Sequence, residues 1–298
     1  MNWYSDYRSE WKEIIETVSA ETKRTVFMVE KDTIQTMFLN ELSKEPIPFV
    51  FKGGTGLSKA FTLIERFSED IDLSINRPIS QSERRSTKKS IIRIGEKLGM
   101  TLCNPDEVFS NHDYNKYVFS YESLFSNTPQ EIIIKTSYYL TAFPCERLKV
   151  HSFIMDFCRE NGIDFPIPFE AADCTMNVQT LERTLVDKVF AICDYRIQDM
   201  QDRDSRHLYD ISKLLTRVKL DDSLKPLIKE VRADRLKLKN NPAALPQYNI
   251  TEMLYEIIES RFFEADYRDI TAKLLYEDIS YDEAVKNGIA IVAKSALF

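Results

Sequence analysis

The chain has 298 residues, 43% hydrophobic and 29% charged, with seven glycines and eleven prolines. That is enough for one large domain or two modest ones, and the composition excludes a low-complexity or fibrous protein. A formal charge of −7 at pH 7 excludes a uniformly basic nucleic-acid coat but leaves room for a local basic surface.

The N-terminal stretch MNWYSDYRSEWKEII is charged within its first dozen residues, which is unlike a signal peptide, and the apolar runs are too short to span a bilayer. The five cysteines (Cys103, Cys145, Cys158, Cys174, Cys193) contain no C-x-x-C pair. Reduced thiols in a cytoplasmic protein are expected, without a cysteine-built zinc site. His112, His151 and His207 are too scattered in sequence to build a metal site.

In chain order, SEWKEIIETVSAETKR (Trp11, Ile14, Ile15, Val18 in phase) and EKDTIQTMFLNEL (Ile34, Met37, Phe38, Leu42) predict two helices over 8–44, stopped by Pro46 and Pro48. PFVFKG predicts a buried strand that turns at Gly53-Gly54. TGLSKAFTLIERF then reads as helix and DIDLSI as a second strand. RRSTKKSIIRIGEKLGM predicts a helix with a basic face, and KYVFSYES and EIIIKTSYYL predict strands joined by the turn SNTPQ. A Pro-containing loop, NGIDFPIPFE, leads to the helix VQTLERTLVDKVFAICDYRI, and the remainder is mostly helical, interrupted near KNNPAALPQ. The order predicts an α+β fold: a mixed-sheet core with N-terminal helices over 1–150, and a mainly helical domain over 151–298 that contributes to the active site.

The chemistry concentrates between Phe49 and Ile75. Asp70 and Asp72, two apart on a strand, share a face at roughly 6–7 Å, with Ile71 and Leu73 turned to the core. Paired carboxylates repel unless a cation lies between them, and hard oxygen donors suit Mg²⁺ or Mn²⁺. A solvated strand end would show the same three residues.

The glycines fit neither common phosphate fingerprint. No glycine lies five positions beyond Gly53 or Gly54, and Lys59 stands where the dinucleotide motif needs its last glycine. A strand, a Gly-Gly-Thr turn and a helix start remain. Backbone N–H groups, with Thr55 and Ser58 hydroxyls, could receive a phosphate there; a plain capped turn is the alternative. Placed on neighbouring strands, cradle and carboxylates would form one metal-dependent nucleotidyl-transfer site.

KGGTGLSKAF…RFSEDIDLSI resembles the first motif of the AbiEii/AbiGii toxins, nucleotidyltransferases related to the DNA polymerase beta superfamily. Gly53-Gly54-Thr55 and Asp70-Ile71-Asp72 occupy the positions of its Gly-Gly/Ser and Asp-x-Asp/Glu elements. VEKD (Val29–Asp32), EIIIKTSYY with Lys135, LERTLVDKVFAICDY with Asp187-Lys188, and SRHLYDISKLL (Ser205–Leu215) resemble further motifs in the family's order. The likeness covers roughly 29–215 and is vague over the last eighty residues.

The resemblance implies a polymerase-beta-like core that transfers NMP from an NTP substrate to an acceptor hydroxyl with Mg²⁺ or Mn²⁺, releasing pyrophosphate. It also implies a toxin of a bacterial toxin–antitoxin, phage-defence system, with RNA or tRNA as acceptor and a cognate antitoxin that need not bind it directly. Transfer to a small molecule or a protein side chain, and a non-catalytic nucleotide-binding module, are the alternatives.

The expected catalytic residues are Asp70, Asp72, Lys135 and Asp187, with Asp70 and Asp72 as metal ligands. Gly53, Gly54, Thr55, Ser58, Lys59, Ser68 and Lys188 are expected at nucleotide phosphates. Lys135 interrupts an apolar strand and would balance phosphate charge; an edge lysine is its bland reading. Asp187 could equally form an i,i+4 ion pair with Arg183. Arg66 could touch phosphate or lie on the surface. Arg206, His207 and Asp210 read as a helix-buttressing network, with His207 as a catalytic base the lesser alternative. Two basic groups, Arg84, Arg85, Lys88, Lys89, Arg93 and Arg232, Arg235, Lys237, Lys239, could track an RNA backbone or be solvated helix faces. Many superfamily members carry a third metal carboxylate; the corresponding strand here offers only Glu131.

Overall fold

The computed structural model describes residues 6–165 and 172–298. Two compact units divide the chain: 1–61 with 68–179, and 62–67 with 180–298.

The first unit contains a seven-stranded mixed sheet ordered β3-β4-β5-β2-β1-β7-β6. Its strands are β1 (Phe49–Lys52), β2 (Asp70–Ile75), β3 (Thr101–Leu102), β4 (Tyr114–Tyr121), β5 (Gln130–Ser137), β6 (Cys145–Val150) and β7 (Cys174–Gln179). β2 runs antiparallel to β1 and parallel to β5, and β7 runs parallel to β1. Thus the α+β class and mixed sheet expected from the sequence are present.

Alternation gives the sheet two different faces. Ile71, Leu73, Ile132, Ile134, Tyr117 and Phe119 are buried on one. Helix Val26–Ser43 packs there, with the Phe38 and Phe119 rings 5.9 Å apart. Helix Gln81–Lys97 covers the same face: a Cβ at Gly95 would lie 2.2 Å from the Phe119 ring, so glycine permits the approach. Asp70, Asp72, Lys135, Lys116 and Tyr114 lie on the opposite face.

Sequence and structure differ in two places. The compact sheet unit extends to Gln179 rather than 150, because β6 and β7 pair with each other and β7 pairs with β1. Sequence reading passed over both strands, although CTMNVQ alternates, and Val178-Gln179, read as the start of a helix, end β7; the helix itself begins at Leu181. Secondly, the helix after Gly53 stops at Lys59 instead of reaching Phe67. Thr62 takes a φ of +47°. Beyond it the backbone finds tertiary partners: Glu65 N bonds the Tyr209 hydroxyl at 2.8 Å, and Phe67 N bonds Leu274 O at 3.0 Å. Those bonds outweigh the local helical preference of FTLIERF. Part of the loop NGIDFPIPFE, 166–170, lies outside the described residues.

The second unit is helical, with the long helices Leu181–Ile197, Arg206–Leu214, Lys225–Arg235 and Ile250–Glu259 and the C-terminal pair Tyr281–Asn287 and Ile289–Ser295. Among the described residues no helix is long and apolar enough to cross a membrane.

Candidate active site

The structure brings Asp70, Asp72, Lys135 and the Gly53 turn together within the first unit. Lys52, the last residue of β1, pairs in register with Asp72, and the chain turns at Gly53 directly into helix Gly53–Lys59. Asp72 pairs with Lys135 across the parallel β2–β5 ladder, which places both on one face.

Gly53 has a φ of +76°, and a Cβ built there would lie 2.4 Å from Asp72 Oδ2. Only glycine allows both the left-handed turn and the carboxylate beside it. Lys135 Nζ donates to Asp70 Oδ2 at 2.5 Å. Burial opposes the Lys135 charge, but the Asp70 hydrogen bond and the Asp72 and Asp70 charges outweigh it and raise its pKa above the ordinary lysine value. The ammonium therefore stays charged at neutral pH.

Two half-buried carboxylates on a rigid strand fit a hard divalent cation. Among the described residues no group of three or more His, Cys, Asp or Glu side chains is placed to hold one. Mg²⁺ commonly takes one or two protein carboxylates and completes its shell with water and substrate phosphates, so two suffice. Glu131, exposed on β5, sits two positions from Ile133, the residue opposite Asp70, and does not join the pair.

Several side chains expected at phosphates are engaged elsewhere. Thr55 is buried; its Oγ1 lies 2.7 Å from Ser68 Oγ and also donates to the Asp70 carbonyl, fastening the turn to the start of β2. Lys59 is 3% exposed, with Nζ 2.5 Å from Asp32 Oδ1 and 2.7 Å from Thr36 Oγ1. Its charge is matched inside the core and not displayed at the turn. Gly54 and Ser58 remain partly exposed, and the N-cap residue Lys52 makes no side-chain cap bond.

The VEKD segment has a similarly internal task. Glu30 accepts from Ser123 Oγ and Leu124 N at 2.7 and 2.6 Å, while Asp32 accepts from Lys59 and Phe153 N.

Asp187, Lys188, Arg66, His207 and Asp210 all belong to the second unit. Arg66, considered a phosphate contact or surface residue, is 2% exposed and forms a bidentate pair with Asp210 at 2.7 and 2.8 Å. Lys188 Nζ joins the same carboxylate at 2.7 Å and donates to His207 Nδ1 at 3.3 Å. Burial lowers the Lys188 and His207 pKa values, His207 to about 3. Burial opposes the Asp210 charge too, but Arg66 and Lys188 outweigh it and hold the carboxylate ionised well below its usual range. This is the buttressing network expected around His207, with Lys188 as a member. Asp187 Oδ2 accepts from Arg183 Nε at 3.1 Å, the i,i+4 pair.

Each basic group is neutralised in part. Arg84 pairs with Asp113, Lys88 donates to Val108 O, Arg93 pairs with Glu45, and Arg85 and Lys89 are left exposed. Arg235 pairs with buried Asp194, Arg232 lies over the Phe190 ring at 5.5 Å, and Lys237 pairs with Asp234. Sequence reading passed over Tyr114 and Lys116 on the carboxylate face, although the alternation of YNKYVFSY carries both to one side.

Comparison with known proteins follows the same line. The sequence model of the nucleotidyl transferase AbiEii toxins of type IV toxin–antitoxin systems matches residues 37–287. No curated protein matches the chain. Two solved structures from Helicobacter pylori are similar in shape. JHP933 is 16% identical, with a TM-score of 0.49 over 92% of this chain and 93% of that one. A protein described as a candidate nucleotidyltransferase is 16% identical, with a TM-score of 0.48 over 90% of this chain and 93% of that one. The family match covers 251 of 298 positions (287 − 37 + 1) and takes in the Gly53 turn, the paired aspartates and Lys135, so the chain belongs to the AbiEii nucleotidyl transferase toxin family.

Proposed function

We propose that this toxin-family chain transfers a nucleoside monophosphate from an NTP to a hydroxyl of an RNA acceptor, with the end of tRNA as the foremost candidate. The observation that carries the reading is the pairing of Asp70 and Asp72 on the open face of β2, against a Gly53 turn with no room for a side chain.

Asp70 and Asp72 would hold Mg²⁺ or Mn²⁺; when bound, the cation neutralises phosphate charge and orients the in-line displacement. The partly exposed turn at Gly53, Gly54 and Ser58 receives the triphosphate, where backbone N–H groups favour anions. Lys135, charged and tied to Asp70, balances negative charge that builds on the phosphates. The acceptor oxygen attacks the α-phosphorus, the bond to the β-phosphate oxygen breaks, and pyrophosphate leaves.

Incubation with each of four α-labelled NTPs, Mg²⁺ and separate tRNA, protein and small-molecule pools tests the acceptor class. Label in the tRNA pool is expected. Label confined to protein or small molecules would overturn the acceptor, and no label with any pool would overturn transfer. Asp187→Asn, which takes the charged partner from buried Arg183, is expected to lower the melting temperature, so its transfer rate is read beside a thermal melt.

A further inference from the structure

The open face of the sheet carries two large aromatic side chains that the transfer chemistry leaves unused. Tyr114 is 43% exposed and Tyr139 is 40% exposed. Tyr114 pairs with Ser137 at the end of β5, and Tyr139 lies two residues beyond, in the bend that follows the strand, near enough to Tyr114 to act on its phenol. Tyr138 turns the other way, beneath the Arg84 guanidinium at 5.3 Å.

Tyr114 borders the carboxylates, and Tyr139 borders Tyr114. The Tyr114 phenol pKa is raised, first by burial, and Lys135, Asp72, Tyr139 and Asp70 all lie close enough to act on it. Lys116 is exposed on the same face of β4, directly opposite Lys135. Two rings and two lysines beside a phosphate-transfer centre match the faces of unpaired bases and the backbone that joins them. Stacking on tyrosine tolerates any base, whereas a duplex hides its base faces. The electrostatic argument favours the same occupant, because Arg84, Arg93, Arg235 and Lys237 of the two basic groups elsewhere already hold carboxylate partners.

We propose that Tyr114 and Tyr139 form a stacking platform for the unpaired terminal bases of a single-stranded RNA acceptor, with Lys116 on its phosphates, so that the terminal hydroxyl is delivered to Asp70 and Asp72. This rests on the nucleotidyl-transfer reading and names the form of its acceptor.

The test is titration of a fluorescein-labelled single-stranded RNA octamer, and of the same sequence as a duplex, without NTP. Tyr114→Ala and Tyr139→Ala are each expected to weaken octamer binding about tenfold, with Tyr114→Phe close to wild type. Lys116→Ala should reduce the salt slope by about 0.7, and the duplex should bind more weakly than the octamer. A mant-labelled ATP or GTP, titrated with Mg²⁺, should bind the tyrosine variants as it binds wild type.

Unchanged octamer affinity in the Tyr114→Ala/Tyr139→Ala protein would overturn the platform, as would loss of mant-nucleotide binding in its place. Failure of the wild type to bind the octamer would assign the rings to a protein partner and also overturn it. Tyrosine-dependent binding in a protein that transfers nothing would keep the platform and sink only the transfer reading. Transfer with unaltered octamer binding would do the reverse.

Discussion

At the residue scale, Gly53 and Lys59 carry opposite lessons, although both lie in the same short motif. Gly53 is required twice, by its φ of +76° and by the Asp72 oxygen 2.4 Å from where a Cβ would stand. Gly53→Ala should cost about 1–2 kcal/mol in backbone strain and displace Asp72, so transfer should fall at least about a hundredfold while the protein still folds. Steady-state rates beside a thermal melt would show this; a near-wild-type rate would mean that the turn does not set the carboxylate. Lys59, expected at phosphate, is held by Asp32 and Thr36 inside the core. Removing one partner of a buried pair strands the other, so Lys59→Met should destabilise by about 3–5 kcal/mol. Denaturant unfolding measures it, and a large rise in the KM for NTP without loss of stability would return Lys59 to the site.

At the element scale, the sequence made legible those features that local rules control. The Asp70/Asp72 strand, with Ile71 and Leu73 inward, follows from period-two alternation, and β4, β5 and helix Leu181–Ile197 follow from their own patterns. Strands β6 and β7 were missed for different reasons: CERLKV lacks clean alternation and owes its state to pairing, whereas CTMNVQ alternates, with Cys174, Met176 and Val178 buried, but its last two residues read as the start of the helix that follows. The helix after Gly53 was overestimated for the complementary reason, as Glu65, Arg66 and Phe67 are claimed by Tyr209, Asp210 and Leu274.

That claimed segment and helix Arg206–Leu214 share the buried network whose pH response has a definite sign. His207 has its pKa pushed down to about 3, by burial first and then by Lys188. The unfolded chain takes up this proton near pH 6.5 and the folded chain resists it. The contribution is therefore complete above about pH 6.5 and is lost as pH falls towards 3. Thermal midpoints of wild type should decline from about pH 6.5 downward. His207→Gln should stay nearly level to about pH 5, and an identical decline in both proteins would remove His207 as the cause.

At the scale of the whole molecule, the net charge of −7 and the paired surface lysines and arginines make general basic attraction a poor source of RNA affinity. Arg85 and Lys89, the exposed remainder of the basic helix, lie on the element that covers the opposite face of the sheet. Reversing both to Glu should change octamer affinity by less than about threefold, well below the tyrosine effects. A larger loss in the same titration would move the acceptor path to that helix. The family match extends across both units, so the toxin activity belongs to a chain in which a sheet with two aspartates and a helical unit with a buried ionic network occur together. The measurement that tests the central claim most directly is label transfer from an α-labelled NTP to total tRNA, with Mg²⁺, by wild type, Asp70→Asn and Asp72→Asn. Transfer by wild type, abolished by either substitution and by EDTA with folding intact, is the predicted result; undiminished transfer by the Asn variants would contradict it.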